Sequence, residues 1–121
     1  ERVLHSAVPL AVVAAGFALI ATGRPAWVIA GLFTVTIAIS AFLPPFWCVP
    51  SAMFTGTAAA TAIAVINSIG NLGGYLGPAL LGRAKDASGS YAAGMLALGV
   101  LAFAAAAMLF PLRRAAQPAP R

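Results

Sequence analysis

Asn67 and Asn71 stand one helical turn apart inside a stretch, Pro25 to Gly82, that contains no charged residue. Each amide offers two donors and one acceptor, which suits it to hold a carboxylate or a hydroxyl-rich solute. An amide left without a partner in apolar surroundings costs on the order of several kcal/mol, so both side chains must bond to something. Two assignments fit. One is a clamp between neighbouring helices, a bond typically contributing about 0.6 kcal/mol in membranes. The other is the lining of a polar cavity.

The residues around the amides sort by face. At about 100° per residue, Ala60, Ala64, Gly70, Asn71, Gly74 and Pro78 fall within roughly 60° of Asn67. Val65, Ile69, Leu72, Leu76 and Leu80 lie within about 40° of the opposite direction, so the helix has a small, polar front and a bulky aliphatic back. Gly70-x-x-x-Gly74, continued by Pro78, reads first as a helix-packing stripe, because helices in lipid meet through small residues. Upstream, Trp47 and Ser51 share a face with Pro44. Trp47 could stack on a solute and Ser51 hydrogen-bond one. The competing readings are an interfacial anchor for the tryptophan and a bond from the serine to its own helix's carbonyl four residues back. A proline-distorted helix beside a polar, glycine-rich one is the arrangement that a midplane solute site needs.

Composition sets the medium in which these residues work. The 121 residues are 62% hydrophobic and 7% charged, against roughly 25% charged in a soluble domain, so an ordinary soluble globule is excluded. One histidine (His5), one cysteine (Cys48) and two carboxylates leave no zinc cluster, disulfide or paired-acid hydrolase site, and no cofactor is implied. The net charge of +5 comes from scattered basic residues in short connections, not from a basic stripe with interleaved aromatics, so nucleic acid is not an expected partner. Cys48 reads as a small packing residue. The expected partner surface is the lipid bilayer, and no enzyme activity is expected.

A membrane span takes about 20 apolar residues. The pattern predicts an all-α membrane domain over 1–114 with four spans at about 7–22, 26–54, 58–82 and 91–110, and a disordered Pro/Ala-rich tail over 115–121. Ser6 is placed to cap the first helix, with Pro9 in its first turn. Pro44, Pro45 and Pro50 should kink or break the second. Thr55-Gly56-Thr57 connects the second and third, and a polar loop over 83–90 connects the third and fourth. Four spans put both ends on one side, with Arg2, Arg113, Arg114 and Arg121, against Arg24, Arg83 and Lys85 on the other. The positive-inside rule then favours cytoplasmic termini in the cell inner (plasma) membrane.

Three segments carry a resemblance. Pro44-Pro-Phe-Trp-Cys-Val-Pro-Ser51 and the residues that follow to Ala60, Ile66-Asn-Ser-Ile-Gly-Asn-Leu-Gly-Gly-Tyr-Leu-Gly-Pro78, and Lys85-Asp-Ala-Ser-Gly-Ser90 resemble the last four helices of major facilitator superfamily transporters. Within the superfamily they are similar to the anion:cation symporter group, importers of organic acids such as tartrate, phthalate or sugar acids with protons. The likeness extends from Glu1-Arg-Val-Leu-His5, similar to the end of the cytoplasmic loop before helix nine, to the basic tail. It implies four transmembrane helices, nine to twelve, forming part of the C-terminal six-helix bundle of that fold, with cytoplasmic ends. It further implies that Trp47 and Asn67 or Asn71 approach a small organic anion, with Ser51 a looser candidate. The remaining helices of the transporter would be partners, since the group's anion-gripping arginine and proton-carrying acids belong to its first half. No predicted span here holds a carboxylate. A self-contained four-helix dimer, or a non-transporting remnant, is the alternative.

Overall fold

The computed structural model describes the backbone of residues 2–115 and, apart from residues 2, 3, 110 and 112–115, their side chains. The tail beyond Ala115 and the side chains of Arg2, Arg113, Arg114 and Arg121, on which the charge argument leans, lie outside the described residues. Four helices follow one another: α1 (Arg2–Ala21), α2 (Pro25–Met53), α3 (Gly56–Ser88) and α4 (Ala92–Ala115). Three of them, α1, α2 and α4, are long and apolar enough to cross a membrane. The longest, α3, has 33 residues, but its asparagines, hydroxyls and glycines dilute its apolar character.

Several boundaries differ from the sequence expectation. Because α1 already begins at Arg2, Ser6 is not a cap but a fully buried residue inside the helix, and Pro9 lies beyond the first turn. The helix extends upstream because nothing in residues 2–5 stops it. The three prolines of α2 do not break the helix, which runs unbroken to Met53, and Phe54 closes it by donating its N–H to the Pro50 carbonyl at 2.9 Å. Residues 83–88 are not a loop. Polarity alone does not end a helix whose residues, Arg, Ala, Lys, Asp and Ala, are compatible with helix. What ends α3 is Gly89 in the left-handed conformation, φ 72°, with its N–H on the Lys85 carbonyl at 2.7 Å. Ser90 then accepts the Ala92 N–H through its hydroxyl at 3.1 Å and starts α4. Pro111 sits inside α4, which continues to Ala115 instead of stopping near residue 110.

Packing makes α1 the centre, lying along both α2 and α4, while α3 has only slight contact with α2 and α4. The α1–α2 crossing is a backbone contact. A Cβ added at Gly31 would lie 2.7 Å from the Gly16 carbonyl oxygen, and one added at Gly16 would lie 2.7 Å from Val35 Cγ2. Where α4 meets α1, a Cβ at Gly99 would lie 3.3 Å from the Ala14 carbonyl. Small residues therefore set the helix spacing, as lipid-embedded packing requires. The buried apolar residues are few and mostly small, with Ala7 and Leu109 meeting beneath Leu10 and Phe42.

Candidate functional site

Serine and threonine inside apolar helices can satisfy themselves by donating to the carbonyl four residues back. On α2, Thr34 bonds Ala30 at 2.8 Å, Thr36 bonds Leu32 at 2.8 Å, Ser40 bonds Thr36 at 2.9 Å and Ser51 bonds Trp47 at 3.3 Å. Ser51 thus takes the self-satisfied form weighed against its ligand role, although its oxygen can still accept. Trp47 is half-buried, edge-on to Phe46 with centroids 5.3 Å apart, and Phe46 stacks on Phe42 at 4.9 Å. The indole is therefore tied to an aromatic row that leads back to the Ala7–Leu109 core. Cys48 is exposed, not packed into that core.

The amides behave differently. Asn67 and Asn71 are exposed on α3, and among the described residues neither side chain has a hydrogen-bond partner. Of the partly covered residues of α3, Ala59, Ala62, Ile63, Ile66, Gly77, Leu81 and Ala84 lie on one side of the helix, and Gly82, near its end, falls on the amide side. At about 100° per residue the centre of that side stands roughly 85° from Asn67 and roughly 125° from Asn71, so the amides look away from the described helices. No described hydrogen bond or ring contact joins Trp47 or Ser51 to either asparagine. The glycine stripe is uncovered as well. A Cβ at Gly70 or Gly74 would meet nothing within 4 Å, and Pro78 is exposed. By contrast, Gly94 of α4 receives Leu81, whose Cδ2 would lie 2.5 Å from an added Cβ. Both the polar front and the aliphatic back of α3, with Leu76 and Leu80 more than half exposed, are left open.

At the loop end of α3, Lys85 Nζ lies 4.8 Å from the centroid of the Tyr91 ring. Neither that pair nor the exposed Tyr75, which stands one turn beyond Asn71 but more than roughly 60° from Asn67, is marked by the face of small and polar residues around Asn67. The i+4 spacing from Asn71 was the available signal.

Comparison with known proteins gives the context for this open face. No family model matches the chain, and no solved structure does. Curated relatives do. A protein of Agrobacterium vitis named as a tartrate transporter is 43% identical over 96% of this chain and 27% of its own length. The Escherichia coli (strain K12) inner membrane transport protein RhmT is 34% identical over 86% of this chain and 25% of its own length. A quinolone resistance transporter of Acinetobacter baumannii is 40% identical over 64% of this chain and 18% of its own length. The chain thus spans about a quarter of the length of the curated relatives it matches, at their C-terminal part. These relatives are named as transporters, a non-enzymatic class, and their names together with the apolar helices make this a multi-pass membrane protein. The four helices and this likeness match the chain to the C-terminal part of major facilitator superfamily transporters.

Proposed function

We propose that the chain is the C-terminal part of a secondary active transporter of the anion:cation symporter group, taking up small organic anions such as tartrate together with protons. The observation that carries this reading is the pair of unpartnered amides, Asn67 and Asn71, on a helix face that no described helix covers. Two neutral amides can divide their donors and acceptors between the hydroxyl and carboxylate oxygens of a hydroxy acid. Trp47 supplies an aromatic wall and Ser51 an acceptor oxygen, since its proton is engaged by the Trp47 carbonyl. Gly70, Gly74 and Pro78 form the seat for one of the transporter's remaining helices. The described spans hold no carboxylate or lysine, so proton coupling draws on ionisable groups of those other helices. The reading also places both termini in the cytoplasm, at the inner membrane.

The test uses the complete transporter. Asn67→Ala and Asn71→Ala should each raise the KM for labelled tartrate about fivefold, for about 1 kcal/mol of lost hydrogen bonding, while membrane expression holds. Expression that falls in step with uptake would assign the amides to an interhelical clamp. A second reading, drug export, is favoured by the quinolone resistance relative. Norfloxacin efflux from the same cells, with no tartrate uptake, would select it.

A further inference from the structure

Tyr75 is in an unusual place for a membrane tyrosine. Tyrosine normally sits at the membrane interface, its ring in the apolar layer and its hydroxyl in water. Tyr91 fits that pattern, at the start of α4 with Lys85 over its ring. Tyr75 lies about five residues from the middle of the span expected over 58–82 within α3, which would put its Cα roughly 8 Å from the span's centre at 1.5 Å per residue, against about 15 Å to the hydrocarbon boundary. It is 78% exposed, and among the described residues its hydroxyl has no partner. The escape open to serine and threonine is closed to it, because a phenol held on a rigid ring cannot fold back to the carbonyl four residues earlier.

Its direction narrows the choice of surroundings. Relative to Asn67, Asn71 stands at about 40°, Tyr75 at about 80° and Ser68 at about 100°, whereas Gly70 and Gly74 fall on the other side at about −60° and −20°. Ser68 also lacks the bond to a carbonyl four residues back that Thr61 makes to Thr57 at 2.9 Å. The unpartnered polar groups are therefore gathered on one edge of α3, and the glycines that admit another helix on the edge beside it. Lipid against the polar edge would strand two amides and two hydroxyls, at a cost of several kcal/mol. The relatives are about four times as long as this chain, so helices outside it are available to form an opposite wall.

We infer that Tyr75 is a specificity-determining residue whose hydroxyl continues the amide pair into a strip, Asn67–Asn71–Tyr75, lining the water-filled solute path of the complete transporter. The inference rests on the proposed function of the amides. It assigns the path one hydroxyl that can both donate and accept, suited to a hydroxyl-bearing solute.

The experiment is cysteine accessibility in the complete transporter, with Cys48 and any other native cysteine replaced by alanine. Asn71→Cys, Tyr75→Cys and Leu76→Cys are treated separately with a charged, membrane-impermeant methanethiosulfonate, and labelling is scored against total thiol after denaturation. Thiols react as thiolates, which lipid and packed protein suppress. Asn71→Cys and Tyr75→Cys should therefore label at least about tenfold faster than Leu76→Cys on the aliphatic back. Labelling of Asn71→Cys without Tyr75→Cys would overturn the inference and leave the amide site standing. Labelling of neither would overturn both, and equal labelling of Leu76→Cys would show that α3 has no solute-facing edge. Tyr75→Phe keeps the shape and removes the hydroxyl. It should reach the membrane at the native level and raise the tartrate KM about fivefold, and a native KM would overturn the inference.

Discussion

The helices α2 and α3 follow one another in the chain, both carry polar residues in their membrane portions, and they dispose of those groups in opposite ways. On α2 all four hydroxyls fold back onto the helix's own carbonyls, and the Phe42–Phe46–Trp47 row ties the aromatic side chains to the core. Its glycine, Gly31, is pressed against the backbone of α1. On α3 Thr61 folds back in the same way, but the two amides, the Tyr75 phenol and the Ser68 hydroxyl remain unpartnered among the described residues, and Gly70 and Gly74 face open space. The difference is one of side-chain reach. A hydroxyl on Cβ can be satisfied within its own helix and so makes no demand on its neighbours. An unpartnered mid-span amide or phenol makes such a demand, and the described helices do not meet it. A helix that is self-sufficient supports the fold, and one that is not points to something outside itself.

The contrast can be broken at the glycines first. In the complete transporter Gly31→Ala should destabilise by about 1–3 kcal/mol, because the new methyl would sit on the Gly16 carbonyl and backbone yields little. The drop in Tm of the purified protein measures this. An unchanged Tm would mean that α1 and α2 do not cross in backbone contact. Gly74→Ala meets nothing on the described helices, so whatever it costs in the same assay reports the helix seated on that edge.

At the end of α3 the expected effect is smaller. Gly89→Ala places a side chain at φ 72°, which costs about 1–2 kcal/mol, and should shift the Tm less than Gly31→Ala does. A larger shift would indicate that the α3–α4 turn, not the α1–α2 crossing, limits stability. Trp47→Phe keeps an aromatic ring on the row and should leave expression intact, with a change in tartrate KM of about threefold or less. A change beyond about tenfold would show that the indole N–H, which phenylalanine lacks, bonds the solute as well.

The smallest effect belongs to Ser51→Ala. Its hydroxyl proton is spent within α2, so Ser51→Ala removes only the acceptor oxygen and should raise the tartrate KM by about twofold or less with the Tm unchanged. A large KM effect would show that the serine leaves its carbonyl to meet the solute, and the comparison between the two helices would then weaken at that point.

Much of this was legible in the chain itself. The charge-free run, the small front and aliphatic back of α3, and the rank of Asn67 and Asn71 as its most demanding groups all follow from residue types and a 3.6-residue repeat. Helix ends are less legible, because polarity at 83–88 suggests a stop when the stop is the left-handed glycine beyond it. Tyr75 is hard to single out from the sequence, because it lies at about 80° from Asn67 and only its alignment with Asn71 marks it as part of the polar edge.

Periodicity is a local property. It says which residues share a face and nothing of what that face meets. That α1 lies at the centre, that Gly16 and Gly31 touch through their backbones while Gly70 and Gly74 touch nothing, and that the covered side of α3 is a third face lying between its amide front and its aliphatic back, were decided by the tertiary arrangement. Apart from the polar front and polar end of α3, these helices are apolar nearly all round, and lipid offers leucine the same surroundings as another helix does. Which side is buried therefore depends on close steric fit between particular small residues, a relation between helices that no single helix's sequence contains.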